Sequence, residues 1–169
     1  MYQYRRMLIA IALVLIAGSA GCSGQKGNKL PSAAKSILEK ADQIELLSID
    51  PGNRELDEPP PKGDYYGWRV LGKTVIEGAE TQKSIVSSLE QGIAGGNTGA
   101  ACFDPRHAIH AAHKGKKVDI LICFHCSQVL VYLDGQQQDP FLFINASPEP
   151  VFDKLLTDAY VPLAAKAKH

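Results

Sequence analysis

Residues 102 to 126 read Cys102-Phe-Asp-Pro-Arg-His107-Ala-Ile-His-Ala-Ala-His113-Lys-Gly-Lys-Lys117-Val-Asp-Ile-Leu-Ile-Cys123-Phe-His-Cys126, and how the first half folds decides the architecture of the chain. Asp104 is a fair N-cap, Pro105 a fair first helical residue, and the alanine-rich run to His113 has good helix propensity. Against that, Lys114-Gly115-Lys116-Lys117 leads directly into Val118 to Phe124, an apolar run of strand length. A strand emerging from a tight turn is best paired by the segment entering that turn, so residues 105 to 113 are read as the first arm of a β-hairpin. A turn at Gly115-Lys116 would set His107 opposite Phe124 and Pro105 opposite Cys126. Val118, Ile120, Ile122 and Phe124 share one face of the second arm, with Leu121 and Cys123 on the other. A strand apolar on both faces belongs in the middle of a sheet.

Outward from the hairpin, Gln128 to Leu133 is a further strand ended by Asp134-Gly135, a strong turn dipeptide, and residues 141 to 144 form a short last strand. Ser147-Pro148 opens a helix to about Tyr160, with Val151, Phe152, Leu155, Leu156 and Ala159 toward the core. On the amino-terminal side, residues 31 to 42 place Ala34, Ile37, Leu38 and Ala41 at helical spacing. Residues 43 to 50 alternate as a strand that stops at Pro51-Gly52. Residues 51 to 64, with Pro59-Pro60-Pro61, are a polar surface loop. Tyr65-Tyr66-Gly67-Trp68 opens a strand to about Ile76. That aromatic group is a stacking platform for a sugar or base, or else core filling, and packing is the commoner use of large aromatics. Residues 79 to 93 read as a helix with Thr81 as N-cap, closed by Gly95-Gly96. The glycine-rich stretch to Gly99 lacks a phosphate-binding motif and reads as a helix exit.

The expected fold is therefore α+β: one domain, residues 31–169, with an antiparallel sheet of about five to six strands and helices mainly on one face.

The amino terminus is different in kind. Arg5 and Arg6 precede an uncharged apolar run from Met7 to Gly18, followed by Ser19-Ala20-Gly21-Cys22. About 12 apolar residues are too few to span a bilayer as a helix, so residues 1–21 read as an export signal. The last of these residues resemble the lipobox of bacterial lipoproteins, with Ser19 where that family favours Leu. The resemblance implies cleavage before Cys22, a diacylglyceryl group on its thiol, and acylation of the new terminus. It also implies attachment to a membrane of the bacterial cell envelope, facing the periplasm, and Ser23 after the Cys goes with the outer membrane. Two or three acyl chains anchor stably where one does not. Residues 22–30 are then the lipidated Cys and a flexible tether.

A second resemblance spans nearly the whole mature chain. Leu46-Leu-Ser-Ile-Asp-Pro51, Gly67-Trp68, Leu71-Gly-Lys-Thr74, Cys102-Phe-Asp-Pro-Arg-His107, Cys123-Phe-His-Cys126 and Pro150-Val-Phe-Asp-Lys154 look like a family of uncharacterised bacterial exported proteins with C-F-x-P-R-H and C-F-x-C motifs. It implies the hairpin and no particular activity.

Chemistry, where there is any, concentrates in the same 25-residue stretch. Once Cys22 is lipidated, Cys102, Cys123 and Cys126 remain, an odd number in an oxidising compartment. Three uses stand side by side. The first is a structural disulfide, which for Cys123 and Cys126 requires the chain to turn between them, while a bend at Pro105 would be needed to bring Cys102 to Cys126. The second is a zinc site drawing on Cys102, His107, Cys123 and Cys126, or on His107, His110 and His113 if that segment were helical. The third is a redox pair, disfavoured because no helix follows the CxxC. Arg106 with His107 is a candidate anion contact. Eighteen Lys and Arg balance 18 Asp and Glu, which leaves no basic footprint for nucleic acid. No catalytic motif emerges. The expectation is a membrane-anchored binding or structural module without a cofactor, with an unknown envelope protein or ligand as partner. The alternative is a zinc-binding or thiol-redox protein.

Overall fold

The computed structural model describes residues 28–52 and 65–165. Its elements run α1 (Ser32–Lys40), β1 (Ile44–Asp50), β2 (Arg69–Ile76), α2 (Ala79–Ala94), β3 (His107–His113), β4 (Lys116–Cys123), β5 (Gln128–Leu133), β6 (Gln136–Gln137), β7 (Leu142–Phe143) and α3 (Glu149–Asp158). The strands form one antiparallel sheet in the order β2-β1-β3-β4-β5-β6, with β7 pairing β5. This is the α+β single-sheet architecture expected from the sequence, with two two-residue strands extending its far edge.

The hairpin forms, and β3 and β4 take the middle of the sheet. Its turn is tighter than expected: Lys114 and Gly115 both have positive φ, 49° and 76°, which is the two-residue turn whose twist matches a hairpin. His107 therefore faces Ile122, two residues away from the expected Phe124. A shift of two preserves which face each side chain occupies, so the core assignment is untouched. Asp134 and Gly135, φ 49° and 82°, make the same kind of turn between β5 and β6.

Two local expectations change. Tyr65 to Trp68 does not open β2 but forms its own two-residue turn, closed by reciprocal backbone bonds between Tyr65 and Trp68. Tyr66 and Gly67 take positive φ there, 55° and 82°. Helix α2 starts earlier than Thr81, with Gly78 as its N-cap residue and no side-chain cap.

All three helices cover the same face of the sheet. Ala34, Ile37 and Leu38 of α1, Ile85, Leu89 and Ile93 of α2, and Phe152 and Leu156 of α3 pack with Ile44, Leu46, Ile109, Val118, Ile120, Ile122, Val129 and Val131 in one buried cluster. Burial of this apolar area is what holds the fold, at roughly 25 cal/mol per Å². The opposite face has a much smaller buried set, Leu47, Ile49, Ala108 and Leu121, covered by the half-buried Tyr65, Tyr66, Trp68, Val70, Phe103, Leu130 and Tyr132.

The folded body begins before residue 31. Leu30 is buried. The Asn28 side chain donates to the carbonyls of Ile93, Gly96 and Phe143 and accepts from the Phe143 N–H, tying the end of α2 to β7. The final residues of the expected tether thus belong to the domain, while Cys22 and the expected signal lie outside the described residues. Gly96 completes this junction, because a Cβ there would fall 2.4 Å from backbone atoms of Phe143 and Ile144. Among the described residues, no helix is long and apolar enough to cross a membrane.

Candidate functional site

The three cysteines of the domain meet at one end of the sheet. Cys123 ends β4, and residues 124–127 turn back into β5, with the Ser127 N–H bonded to the Phe124 carbonyl at 3.1 Å and Ser127 at φ 54°. This is the turn that a bond between Cys123 and Cys126 requires. Their Cα atoms come within 5.2 Å and the two sulfurs form a disulfide. The Cys126 N–H also donates to the Cys123 Sγ at 3.0 Å.

Cys102 arrives by a route independent of the hairpin. The Ala100 N–H bonds the Cys126 carbonyl at 3.0 Å, and the Gln128 side-chain amide donates to the Ala100 carbonyl at 2.6 Å. Gly99 lies so close that a Cβ would be 2.8 Å from the Cys126 carbonyl oxygen. With residues 99 and 100 pinned there, the Cys102 Sγ lies 2.7 Å from that of Cys126. Cys123 and Cys126 are fully buried and Cys102 is at the surface. Chemically, this is a disulfide with a third thiol in contact with one of its sulfurs, the arrangement needed for thiol–disulfide exchange. An Asp104 carboxylate oxygen and the sulfurs of Cys102 and Cys126 all lie within 4.8 Å of one another.

The other residues singled out from the sequence go elsewhere. His107 points to the helix-covered face, buried between the rings of Phe124 and Phe152, with Nε2 2.8 Å from an Asp153 carboxylate oxygen on α3. It is not part of the sulfur cluster, and Asp104 stands nearer to the place expected for it. Its Nδ1 and the hydroxyl of Ser48, its partner across the β1–β3 ladder, are both buried without a hydrogen bond. Because Ser48 is fully buried, this Ser-His-Asp grouping has no reachable nucleophile. Arg106 donates from Nε to the Ala165 carbonyl at 2.9 Å, so it binds the chain's own carboxy-terminal segment. Since residues 107 to 113 are strand, His110 lies on the face opposite His107 and His113, and the three do not converge.

A second polar cluster was not anticipated. Asp119, 7% exposed on β4, accepts from the Tyr65 hydroxyl at 2.5 Å, the Tyr66 hydroxyl at 2.6 Å and the His110 Nδ1 at 2.5 Å. Tyr66 stacks on Tyr132 with ring centroids 4.0 Å apart. The aromatic group therefore spends its hydroxyls and one ring face on the protein itself, as packing and not as an open platform. Burial of Asp119 works to raise its pKa, but the bonds from His110, Tyr65 and Tyr66 outweigh it and hold the carboxyl below its ordinary 3.8. The bond to Asp119 raises His110 above 6.5 against the effect of burial. Burial first, and then the bond to Asp119, raises both phenols. The sequence did carry a signal for this cluster: a lone Asp inside the apolar run 118–124 must find partners or neutralise.

Fold and site together define a single-sheet α+β protein with three sulfurs gathered at one end of its sheet. Comparison with protein-family models, with curated proteins and with solved structures finds no match, so the functional reading rests on this geometry.

Proposed function

We propose that the chain is a lipoprotein of the bacterial cell envelope, anchored through Cys22, that acts as a thiol-bearing binding module and engages its partner through Cys102. The observation that carries this is the contact of the surface thiol of Cys102 with the buried Cys123–Cys126 disulfide. The Cys102 thiolate attacks a disulfide of an envelope partner, which forms a mixed disulfide and releases the partner's other sulfur as a thiol. Once a dithiol has reduced the Cys123–Cys126 bond, the Cys126 thiolate attacks the Cys102 sulfur, which forms a Cys102–Cys126 disulfide and releases the partner's remaining sulfur as a thiol.

A purely structural role for the disulfide is the weaker reading. It closes a loop of only a few residues, and chain-entropy arguments give such a loop about 2 kcal/mol. A domain of this size buries enough surface to fold without it. A staple alone also gives no reason for bringing a third cysteine to the same spot.

The anchoring part is tested by the mass of the amino-terminal peptide from membrane-extracted protein. A diacylglyceryl-modified peptide beginning at Cys22 is expected, and an unmodified terminus elsewhere would overturn it. The thiol part is tested by trapping adducts in envelopes under non-reducing conditions with full-length chain. Cys126→Ser, which removes the returning sulfur, should accumulate a mixed disulfide through Cys102 that vanishes in the Cys102→Ser/Cys126→Ser double variant. If both variants trap the same species, or neither traps any, Cys102 is not the point of contact.

A further inference from the structure

The same end of the molecule gathers three side chains able to hold a metal ion. Cys102 and Cys126 contribute two sulfurs and Asp104 one carboxylate oxygen, all within 4.8 Å of one another. Cys123, bonded to Cys126, brings a third sulfur to the same point. Three thiolates and one carboxylate make four ligands, and sulfur-dominated four-ligand sets select zinc among the common divalent ions.

The backbone supports the same reading independently. A metal-binding CxxC needs a tight turn that aims both sulfurs to one side, and Phe124 to Ser127 supplies it. Ser127, immediately after the second cysteine, adopts the left-handed conformation, φ 54°, that lets the chain leave such a turn. The Cys126 N–H is directed at the Cys123 Sγ at 3.0 Å, a backbone-to-sulfur contact that closes the turn. Cys102 is held in place by the bonds between Ala100, Cys126 and Gln128. Cys102 and Asp104 face solvent enough to give an ion entry.

We propose that Cys102, Asp104, Cys123 and Cys126 form a zinc site that exists only when the Cys123–Cys126 disulfide is reduced. The inference rests on the reading of the cysteine end as the working end of the protein. Reduction by a dithiol breaks the S–S bond, adds two electrons and two protons to give two thiols, and leaves the reductant as its own disulfide. Zinc binding then displaces the protons of the three coordinating thiols to solvent. A bound ion spreads the sulfurs to about 3.7 Å, the spacing set by Zn–S bonds of about 2.3 Å in a tetrahedron, and so blocks reoxidation. Metal and disulfide are thus mutually exclusive states of one cluster.

The test uses full-length chain in detergent, prepared in two states: oxidised, and reduced with a phosphine that is then removed. Each is equilibrated with zinc alone, desalted and assayed for metal and free thiol. Cobalt substitution gives a second readout through its thiolate charge-transfer band. About one ion per reduced chain and none per oxidised chain is expected. Cys102→Ser and Asp104→Asn, both at positions where the fold asks little of the side chain, should each weaken zinc binding by about tenfold or more. Cys102→Ser should also dim the cobalt band, while Asp104→Asn leaves it. Equal metal in both redox states, no metal in the reduced chain, or unchanged affinity in both variants would overturn the site. None of these outcomes bears on mixed-disulfide trapping, so the metal reading and the thiol reading fail separately.

Discussion

The two faces of the sheet solve the same problem by different means. On one, three helices lay aliphatic and aromatic side chains over the strands, and the buried His107 is bonded to a partly exposed Asp153 carboxylate. On the other, among the described residues, there is no helix. A two-residue turn at Tyr65–Trp68 bends back over the strands and is held by two tyrosine hydroxyls on one carboxylate. The first face is stabilised mainly by area removed from water, which is non-directional and tolerant of pH. The second depends on a few directed bonds to Asp119, which are sensitive to pH and to single atoms. The cysteine end lies beyond this second face: Cys123 is four residues past Asp119 on β4, about 13 Å along the same strand.

This contrast can be broken or sharpened by substitution. The largest effect is expected on the helix face. Phe152 is fully buried against His107 and Phe124, and Phe152→Ala should cost about 3–5 kcal/mol in denaturant unfolding. A loss near 1 kcal/mol would mean that α3 is not part of the cooperative core. Next comes the cysteine end, where Cys123→Ala/Cys126→Ala should cost about 2 kcal/mol. That is well under the Phe152 effect, and a larger loss in the same unfolding measurement would make the disulfide a principal support of the fold.

On the helix-free face, Asp119→Asn should cost about 1–2 kcal/mol after allowing for solvent screening, and the cost should depend on pH. His110 has a raised pKa in the folded state, so its contribution is complete below its ordinary 6.5 and is lost as pH rises through the folded value. Asp119 has a lowered one, so its contribution is complete above its ordinary 3.8 and is lost as pH falls through the folded value. The stability difference between the native chain and Asp119→Asn should therefore be greatest between those two ordinary values and shrink on either side. A flat difference from pH 4 to 8 would show that the three bonds to Asp119 do not act as a charged network. The smallest effect is expected for Tyr66→Phe. It removes one hydroxyl bond but keeps the stack on Tyr132, for about 1 kcal/mol or less in thermal unfolding.

Much of the architecture was legible because periodicity reports burial directly. The apolar run in residues 118 to 124, the apolar stripes of α1, α2 and α3, and the turn signals at Gly115 and Asp134-Gly135 led to the main elements in the right order, the two-residue β6 excepted. Less legible were features set by exact turn geometry. The β3–β4 register moved by two residues, and Tyr65 to Trp68 became a turn because a two-residue reversal depends on φ at Tyr66 and Gly67, which no hydrophobic pattern encodes. The cluster on Asp119 joins residues more than 50 apart in sequence and was foreshadowed only by one charge in an apolar run.

By itself, then, the sequence determined a hairpin-centred α+β sheet with helices on one side, and it marked residues 102 to 126 as the place for chemistry. Tertiary structure alone decided which of those residues meet. Cys102 reaches Cys126 because Gly99 and Ala100 pack and bond against the Cys126 backbone, and His107 is removed from the cluster because strand alternation turns it to the face that α3 covers. Local sequence sets the period of a segment. Which sulfur finds which neighbour depends on backbone bonds between segments far apart in the chain, and those exist only once the sheet has formed.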